Sequence, residues 1–268
     1  MSCFICPVCN SLLNRDGSTY RCSSNHCFDV SKYGYVNLLM SQQSSKKRHG
    51  DDSLMVIARR MFLQKGYYEP LKNALCECVR RNVSGCSVIA DIGCGEGYYS
   101  SAIAESSNAM LCGIDISKDA LRYASKEMKN SEFAVASAFD LPFAESSVDC
   151  VLNVFAPSAY EEFYRILKSD GVLIKAVPLS EHLWGLKCAL YDKPYPNKPE
   201  LRNEELFELT SFEEIKYEIT LTESEDIRNL FKMTPYYYKT GRNEAEKLSN
   251  LKKLTTTVHF GVEVYRKR

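Results

Sequence analysis

Residues 88–99 read Val-Ile-Ala-Asp-Ile-Gly-Cys-Gly-Glu-Gly-Tyr-Tyr, and this stretch decides the fold. Val88 to Ile92 has the length and apolar content of a short buried strand. Gly93, Gly95 and Gly97 then let the backbone approach a ligand closely. A helix predicted from Tyr98 to Glu105 turns unpaired N–H groups and a partial positive charge toward an anionic moiety. Asp115 stands 24 residues after Asp91, at the end of the next strand, where a carboxylate accepts both hydroxyls of a ribose. A dinucleotide fingerprint needs glycine at position 98, and that residue is Tyr98.

Strand and helix alternate outward from this loop. Met110–Ile114 reads as a strand, Lys118–Met128 as a helix and Phe133–Val135 as a strand. Val148–Phe155, Tyr160–Leu167 and Val172–Val177 continue the series as strand, helix and strand. Such alternation makes a parallel sheet covered by helices on both faces. Ile215–Leu221 and Thr255–Tyr265 are β-rich runs suited to an antiparallel pair at the sheet edge. Upstream, Leu54, Ile57, Met61 and then Leu71, Leu75, Val79 recur at helical spacing, with Gly66 and Pro70 dividing two helices. Ser41 to Asp52 is polar and basic and reads as a linker. The expected division is a metal-binding finger over 1–40, a linker with helices over 41–85 and a catalytic domain over 86–268.

The front of the chain is distinct because four of 12 cysteines fall within its first 22 residues and Cys27 follows. Cys6-Pro7-Val8-Cys9, twelve residues, then Cys22 and His26 supply the two knuckles of a closed tetrahedral Zn²⁺ site. Cys3 and Cys27 lie near enough to compete, and Cys27 beside His26 is the ambiguity that spacing leaves open. Disulfides are disfavoured in a reducing compartment, and a cytoplasmic location is expected: the amino terminus lacks the pattern of a secretory leader, and no apolar run is long enough to cross a bilayer. Net charge is zero over 268 residues, yet residues 1–85 carry 12 Lys+Arg against 6 Asp+Glu while 86–178 carry 7 against 13. A basic front on an acidic body suits approach to a polyanion. Lys46, Lys47 and Arg48 in the linker and Arg59 and Arg60 on the next helix are the expected phosphate contacts.

The run Asp-x-Gly-x-Gly-x-Gly, with an acid ahead of the glycines, resembles the S-adenosylmethionine loop of class I methyltransferases. That resemblance implies a Rossmann-like, mostly parallel sheet with an antiparallel last strand, beside the small zinc-binding domain. It implies that Asp91, Gly93, Gly95, Glu96, Gly97 and Asp115 hold the donor and that Asp140, in Ala136-Ser-Ala-Phe-Asp-Leu-Pro-Phe143, contacts its adenine. At the fourth strand Asn153-Val-Phe-Ala-Pro157 lacks the Asn/Asp-Pro-Pro-aromatic motif of exocyclic-amine methylation, leaving ring nitrogen, carbon and oxygen acceptors open.

Taken together, the C-P-x-C finger, His26-Cys-Phe-Asp29, Gly34-Tyr-Val-Asn-Leu-Leu39, Gly50-Asp51, Ala58-Arg-Arg-Met-Phe-Leu63 and Gly66-Tyr-Tyr68 form an ordered series. The glycine loop, Ala156-Pro157, His182-Leu183 and Met233-Thr-Pro235 extend it. The series resembles the bacterial 23S rRNA (guanine-N1)-methyltransferases. That resemblance implies a 23S rRNA hairpin as partner, S-adenosylmethionine and Zn²⁺ as cofactors, and Cys6, Cys9, Cys22 and His26 as ligands. It also implies donor contacts at Tyr68, Gly95, Glu96 and His182, a homodimer and a link to macrolide resistance. No general base stands out; His182 and Phe155 are the catalytic candidates, and Phe155 or Tyr236 to Tyr238 could stack on an extruded base. Beside methylation of another RNA, two rivals are a small-molecule methyltransferase of the same fold and a zinc-finger RNA-binding protein whose methyltransferase fold is inactive. A basic finger argues against the first, and an intact glycine loop with Asp115 against the second.

Overall fold

The computed structural model describes residues 2–40, 50–85, 87–198, 202–241, 246–248 and 250–268. Three short strands, β1 (Asn14–Asp16), β2 (Thr19–Arg21) and β3 (Cys27–Asp29), form a small antiparallel sheet in the finger. An eight-stranded sheet follows, in the order β10-β11-β9-β8-β5-β6-β7-β4. Its strands are β4 (Val36–Asn37), β5 (Val88–Ile92), β6 (Met110–Asp115), β7 (Glu132–Val135), β8 (Val148–Val154), β9 (Leu167–Pro178), β10 (Phe207–Leu221) and β11 (Leu254–Lys267). Neighbours from β4 to β9 run parallel, while β11 is antiparallel to both β9 and β10. The helices are α1 (Ser53–Gln64), α2 (Glu69–Asn82), α3 (Tyr98–Ser106), α4 (Lys118–Glu127), α5 (Tyr160–Ile166), α6 (Trp184–Leu190), α7 (Ser224–Lys232) and α8 (Tyr236–Lys239).

Side-chain alternation along the strands divides the core in two. Ile89, Leu111, Phe133 and Leu152 pack on one face with Leu71, Leu75 and Val79 of α2, Ile103 of α3 and Leu121 of α4. Ala90, Ile92, Ile114 and Val151 pack on the other with Tyr160, Phe163 and Ile166 of α5 and with Phe4, Leu13, Tyr20 and Val36 of the finger. No helix of this structure lies between β7 and β8, and the finger covers the face there instead.

The contact is more than apolar. Ile5 N donates to Pro142 O at 2.9 Å, Ser2 Oγ to Glu132 at 2.7 Å, and the Phe4 and Phe143 rings lie 5.5 Å apart. The strand β4, inside the segment expected to end at residue 40, pairs with β7 through Val36–Ala134 and Asn37–Val135. The finger thus contributes the last strand on that edge of the sheet.

Both helices expected between the finger and the sheet form, but α1 presents a different face. Its buried residues are Met55, Val56, Ala58, Phe62 and Leu63, whereas Leu54, Ile57 and Met61 are 57%, 44% and 40% exposed. Asp52 caps the helix by accepting from Met55 N at 2.9 Å, which sets where its turns begin. No helix among the described residues is long and apolar enough to cross a membrane.

Candidate functional site

Asp91 ends the buried run of β5, and the chain then turns through Gly93, Gly95 and Gly97, all with positive φ. At Gly93 a Cβ would lie 2.3 Å from Ala156 Cβ, so only glycine admits the close pass between this loop and the loop after β8. The loop floors a cavity of about 530 Å³ at the carboxyl ends of β5, β6 and β8, where open α/β sheets bind ligands. Asp91, Gly93, Gly95, Glu96 and Asp115 line it, as do Tyr68, Ile116, Phe155 and the stretch Ala136–Phe139.

Three buried carboxylates set its electrostatics. Burial pushes Asp91 up to about 7, with Asp115 adding in the same direction and a hydrogen bond from Ser100 opposing it. Asp115 is raised chiefly by burial, although it accepts from Ser117 N at 2.7 Å and Gly95 N at 2.8 Å. Glu96 is raised by burial against the pull of Arg60, 2.8 Å away. Three desolvated acids beside an apolar wall favour a ligand that carries positive charge and hydroxyls on one side and an apolar ring on the other.

Several expected residues sit elsewhere. Asp140 is exposed and outside the cavity lining: its N–H closes a turn onto Ser137 O at 3.2 Å, and its charge acts on Arg165. Ser137, Ala138 and Phe139 of the same stretch line the cavity. His182 lies behind the lining, buried against Phe260 with ring centroids 4.4 Å apart. Its Nδ1 accepts from His259 N at 3.3 Å, so Nε2 carries the proton that faces the Tyr68 hydroxyl at 3.4 Å. Burial drives its pKa down to about 3, and the bond from His259 N occupies its Nδ1 lone pair.

Phe155 does line the cavity, with a left-handed φ of 56°. Strain of this kind concentrates at functional loops. Tyr236, Tyr237 and Tyr238 do not line it: they contact Asn197, Phe231 and Asp52 respectively.

The arginines of α1 also differ from expectation. Arg59 pairs with Asp51 at 2.6 Å and lines the cavity, and Arg60 bridges Glu96 and Glu127 while covering the Tyr123 ring. Carboxylates close by draw both guanidiniums inward, away from the role of exposed phosphate contacts. Lys46, Lys47 and Arg48 fall outside the described residues.

In the finger, one ligand atom from each of Cys6, Cys9, Cys22 and His26 lies within 4.8 Å of all the others. The Cys6 Sγ–His26 Nδ1, Cys22 Sγ–His26 Nδ1 and Cys9 Sγ–Cys22 Sγ separations are 3.5, 3.3 and 3.6 Å. Tetrahedral Zn–S and Zn–N bonds require edges of about 3.5–3.8 Å, so this donor set fits the ion. Cys27 is exposed and turned to Asn25 O at 3.3 Å, which resolves the ambiguity beside His26. Cys3 faces Cys112 and Glu132.

Comparison with known proteins agrees with both halves. The family described as RlmA, N-terminal, a zinc ribbon, matches residues 4–47, and that described as Methyltransferase domain matches 90–175. The solved structure of the YcgJ protein from Bacillus subtilis aligns with a TM-score of 0.52 at 16% identity, covering 73% of this chain and 98% of that one, and shows the fold alone. The Bacillus subtilis (strain 168) protein YxjB, assigned by name to the 23S rRNA (guanine-N(1)-)-methyltransferases, is 34% identical over 97% of this chain and 96% of its own length. The 23S rRNA (guanine(748)-N(1))-methyltransferase of Streptomyces fradiae is 36% identical over 69% of this chain and 66% of its own. With a zinc ribbon and an S-adenosylmethionine-dependent methyltransferase domain in the same order along nearly its whole length, the chain belongs to the 23S rRNA (guanine-N1)-methyltransferase family.

Proposed function

We propose that this protein transfers a methyl group from S-adenosylmethionine to N1 of a guanine in a hairpin of 23S rRNA. The observation that carries the reading is the zinc ribbon built into the edge of the donor-binding sheet through β4, because a small-molecule methyltransferase has no use for such a module. Gly93–Glu96, Asp115, Ile116 and the Ala136–Phe139 stretch line the cavity together with Asp91, and these residues would hold the donor, Asp115 serving its ribose hydroxyls. When bound, it supplies an electrophilic methyl on a sulfonium.

The chain's own contribution is alignment. In-line displacement needs donor and acceptor held about 3–3.5 Å apart. Phe155, fixed in its left-handed conformation beside Tyr99 and Phe260, offers an aromatic face at the cavity for an extruded base. Cys6, Cys9, Cys22 and His26 would hold Zn²⁺, which would stabilise the ribbon without entering the reaction.

Contact of the ribbon with RNA, self-association of the chain and an effect on macrolide sensitivity belong to the same proposal. Incubation with labelled donor and unmodified 23S rRNA, followed by mapping of the methylated position, tests it. Label at guanine N1 in one hairpin is expected, and label on another base type or none at all overturns the reading.

A further inference from the structure

Two cysteines and a carboxylate that serve neither the donor cavity nor the ribbon's ion meet where the ribbon docks on the sheet. Cys112 lies in β6 and Glu132 opens β7, and the two are partners in the parallel ladder, so their side chains leave the same face of the sheet. That face is the one the ribbon covers, and Cys3 packs onto it from the amino-terminal segment of the chain. One ligand atom from each of the three lies within 4.8 Å of the other two, the same bound that the four ribbon ligands satisfy. Cys112 is fully buried, whereas Cys3 and Glu132 are half-buried and leave a way in from solvent.

The carboxylate is held in place by uncharged groups. Glu132 Oε2 accepts from Ser2 Oγ at 2.7 Å and from Cys3 N at 3.1 Å, and among the described residues no lysine or arginine pairs with it. Burial raises the Cys112 thiol, and contact with Cys3 and the Glu132 charge add in the same direction. Two thiols and a carboxylate with no facing positive charge form a donor set that a cation completes, and the two sulfurs select a thiophilic one over Mg²⁺ or Ca²⁺. We propose that Cys3, Cys112 and Glu132 form a second metal site, for a thiophilic divalent cation, that clamps the amino-terminal end of the ribbon onto β6 and β7. Binding forms two metal–sulfur bonds and one metal–oxygen bond, releases the proton of each thiol to solvent and leaves the fourth position to water. Three protein ligands hold an ion less tightly than four, so the ribbon fills first and the clamp fills when metal is in excess.

Titration of the ribbon-loaded protein with Zn²⁺, in a phosphine reductant that keeps the thiols free, tests the assignment without turnover. A second equivalent is expected, weaker than the first, with two protons released per ion and a rise in melting temperature. Glu132→Gln should weaken that equivalent by at least about tenfold, since a direct ligand counts for no less than the outer-shell partners of a metal. Cys112→Ala should remove it, and both variants should keep the ribbon's ion. Cys27→Ala, which alters an exposed thiol of the ribbon, should change neither site.

Absence of a second equivalent makes the three side chains packing groups and overturns the assignment. So does a second equivalent that survives unchanged in Cys112→Ala and Glu132→Gln, which would lie elsewhere on the chain. Loss of two free thiols without bound metal would show a disulfide between Cys3 and Cys112 and would overturn it equally. Where the buried Cys112→Ala fails to fold, Cys3→Ser takes its place: a weakened second equivalent supports the clamp, and full retention sinks it.

Discussion

The zinc ribbon takes its four ligands from the 21 residues between Cys6 and His26, whereas the donor cavity draws its lining from Leu39 to Met233. One site is a local knot of chain closed by an ion. The other is a gap left where a sheet, three loops and α1 come together. A local site fails when one ligand is lost, because the ribbon is too small to bury a sufficient core of its own. A dispersed site fails by degrees, because each lining residue is held by a different part of the fold.

Removing the metal should therefore give the largest effect. Cys22→Ser, or chelation of the wild type, is expected to abolish zinc binding and to forfeit local folding free energy on the order of 10 kcal/mol. The melting temperature of the whole chain should fall too, since β4 ties the ribbon to β7. Donor binding by calorimetry should survive, and its disappearance along with the zinc would break the comparison by making the two sites one.

Gly93→Ala comes next. Its Cβ meets Ala156 Cβ at 2.3 Å in a backbone with φ of 79°, an overpacking cost of about 1–3 kcal/mol. Donor affinity should drop while zinc stoichiometry stays at one. Adding Ala156→Gly should restore much of the loss, and failure of that rescue would mean that the close pass of the two loops is not what Gly93 serves.

Asp115→Asn should weaken donor binding by about 1–3 kcal/mol, the worth of hydrogen bonds to a charged acceptor. The variant still offers one oxygen to the backbone but no longer a full carboxylate to Gly95 and Ser117. Unchanged affinity in a titration would detach Asp115 from the donor.

The smallest effect concerns pH. Asp91 titrates near 7 in the fold, and a cationic donor favours its ionised form, so donor affinity should decline as pH falls below about 7. The stability of the donor-free protein runs the opposite way. A carboxyl whose folded value is raised contributes stability fully present below its unfolded value of 3.8 and lost as pH rises through about 7. Asp115 and Glu96 are displaced in the same direction. Asp91→Asn should flatten both profiles, and melting curves between pH 4 and 8 that leave wild type and variant parallel would contradict the assignment.

What could be read from the sequence follows the same division between local and dispersed. The zinc ligands and the glycine loop are fixed by spacing along the chain, and the structure brings each group together. Asp140 lies outside the cavity because a turn onto Ser137 O decides which side chains of Ala136–Asp140 face it, and composition carries no record of that turn. The α1 helix was legible, but its buried face was not: Leu54, Ile57 and Met61 satisfy the spacing rule as well as the residues that do the packing. Arg59 and Arg60 look basic and exposed until Asp51, Glu96 and Glu127 arrive from three other segments. The first half of β10 has no apolar run, because beyond the buried Phe207 its residues 210–214 are exposed on both faces of an edge strand.

The strand β4 also imposes an order on assembly. Every ribbon ligand has left the ribosome before its partner strand exists, since Val36 pairs with Ala134, 98 residues further on. At synthesis rates of roughly 5–20 residues per second, the ribbon waits about 5–20 s with its docking side chains, Phe4, Val36 and Leu38, facing water. An ion bound through that interval would keep the ribbon closed, so the yield of active protein is expected to depend on zinc supply during translation.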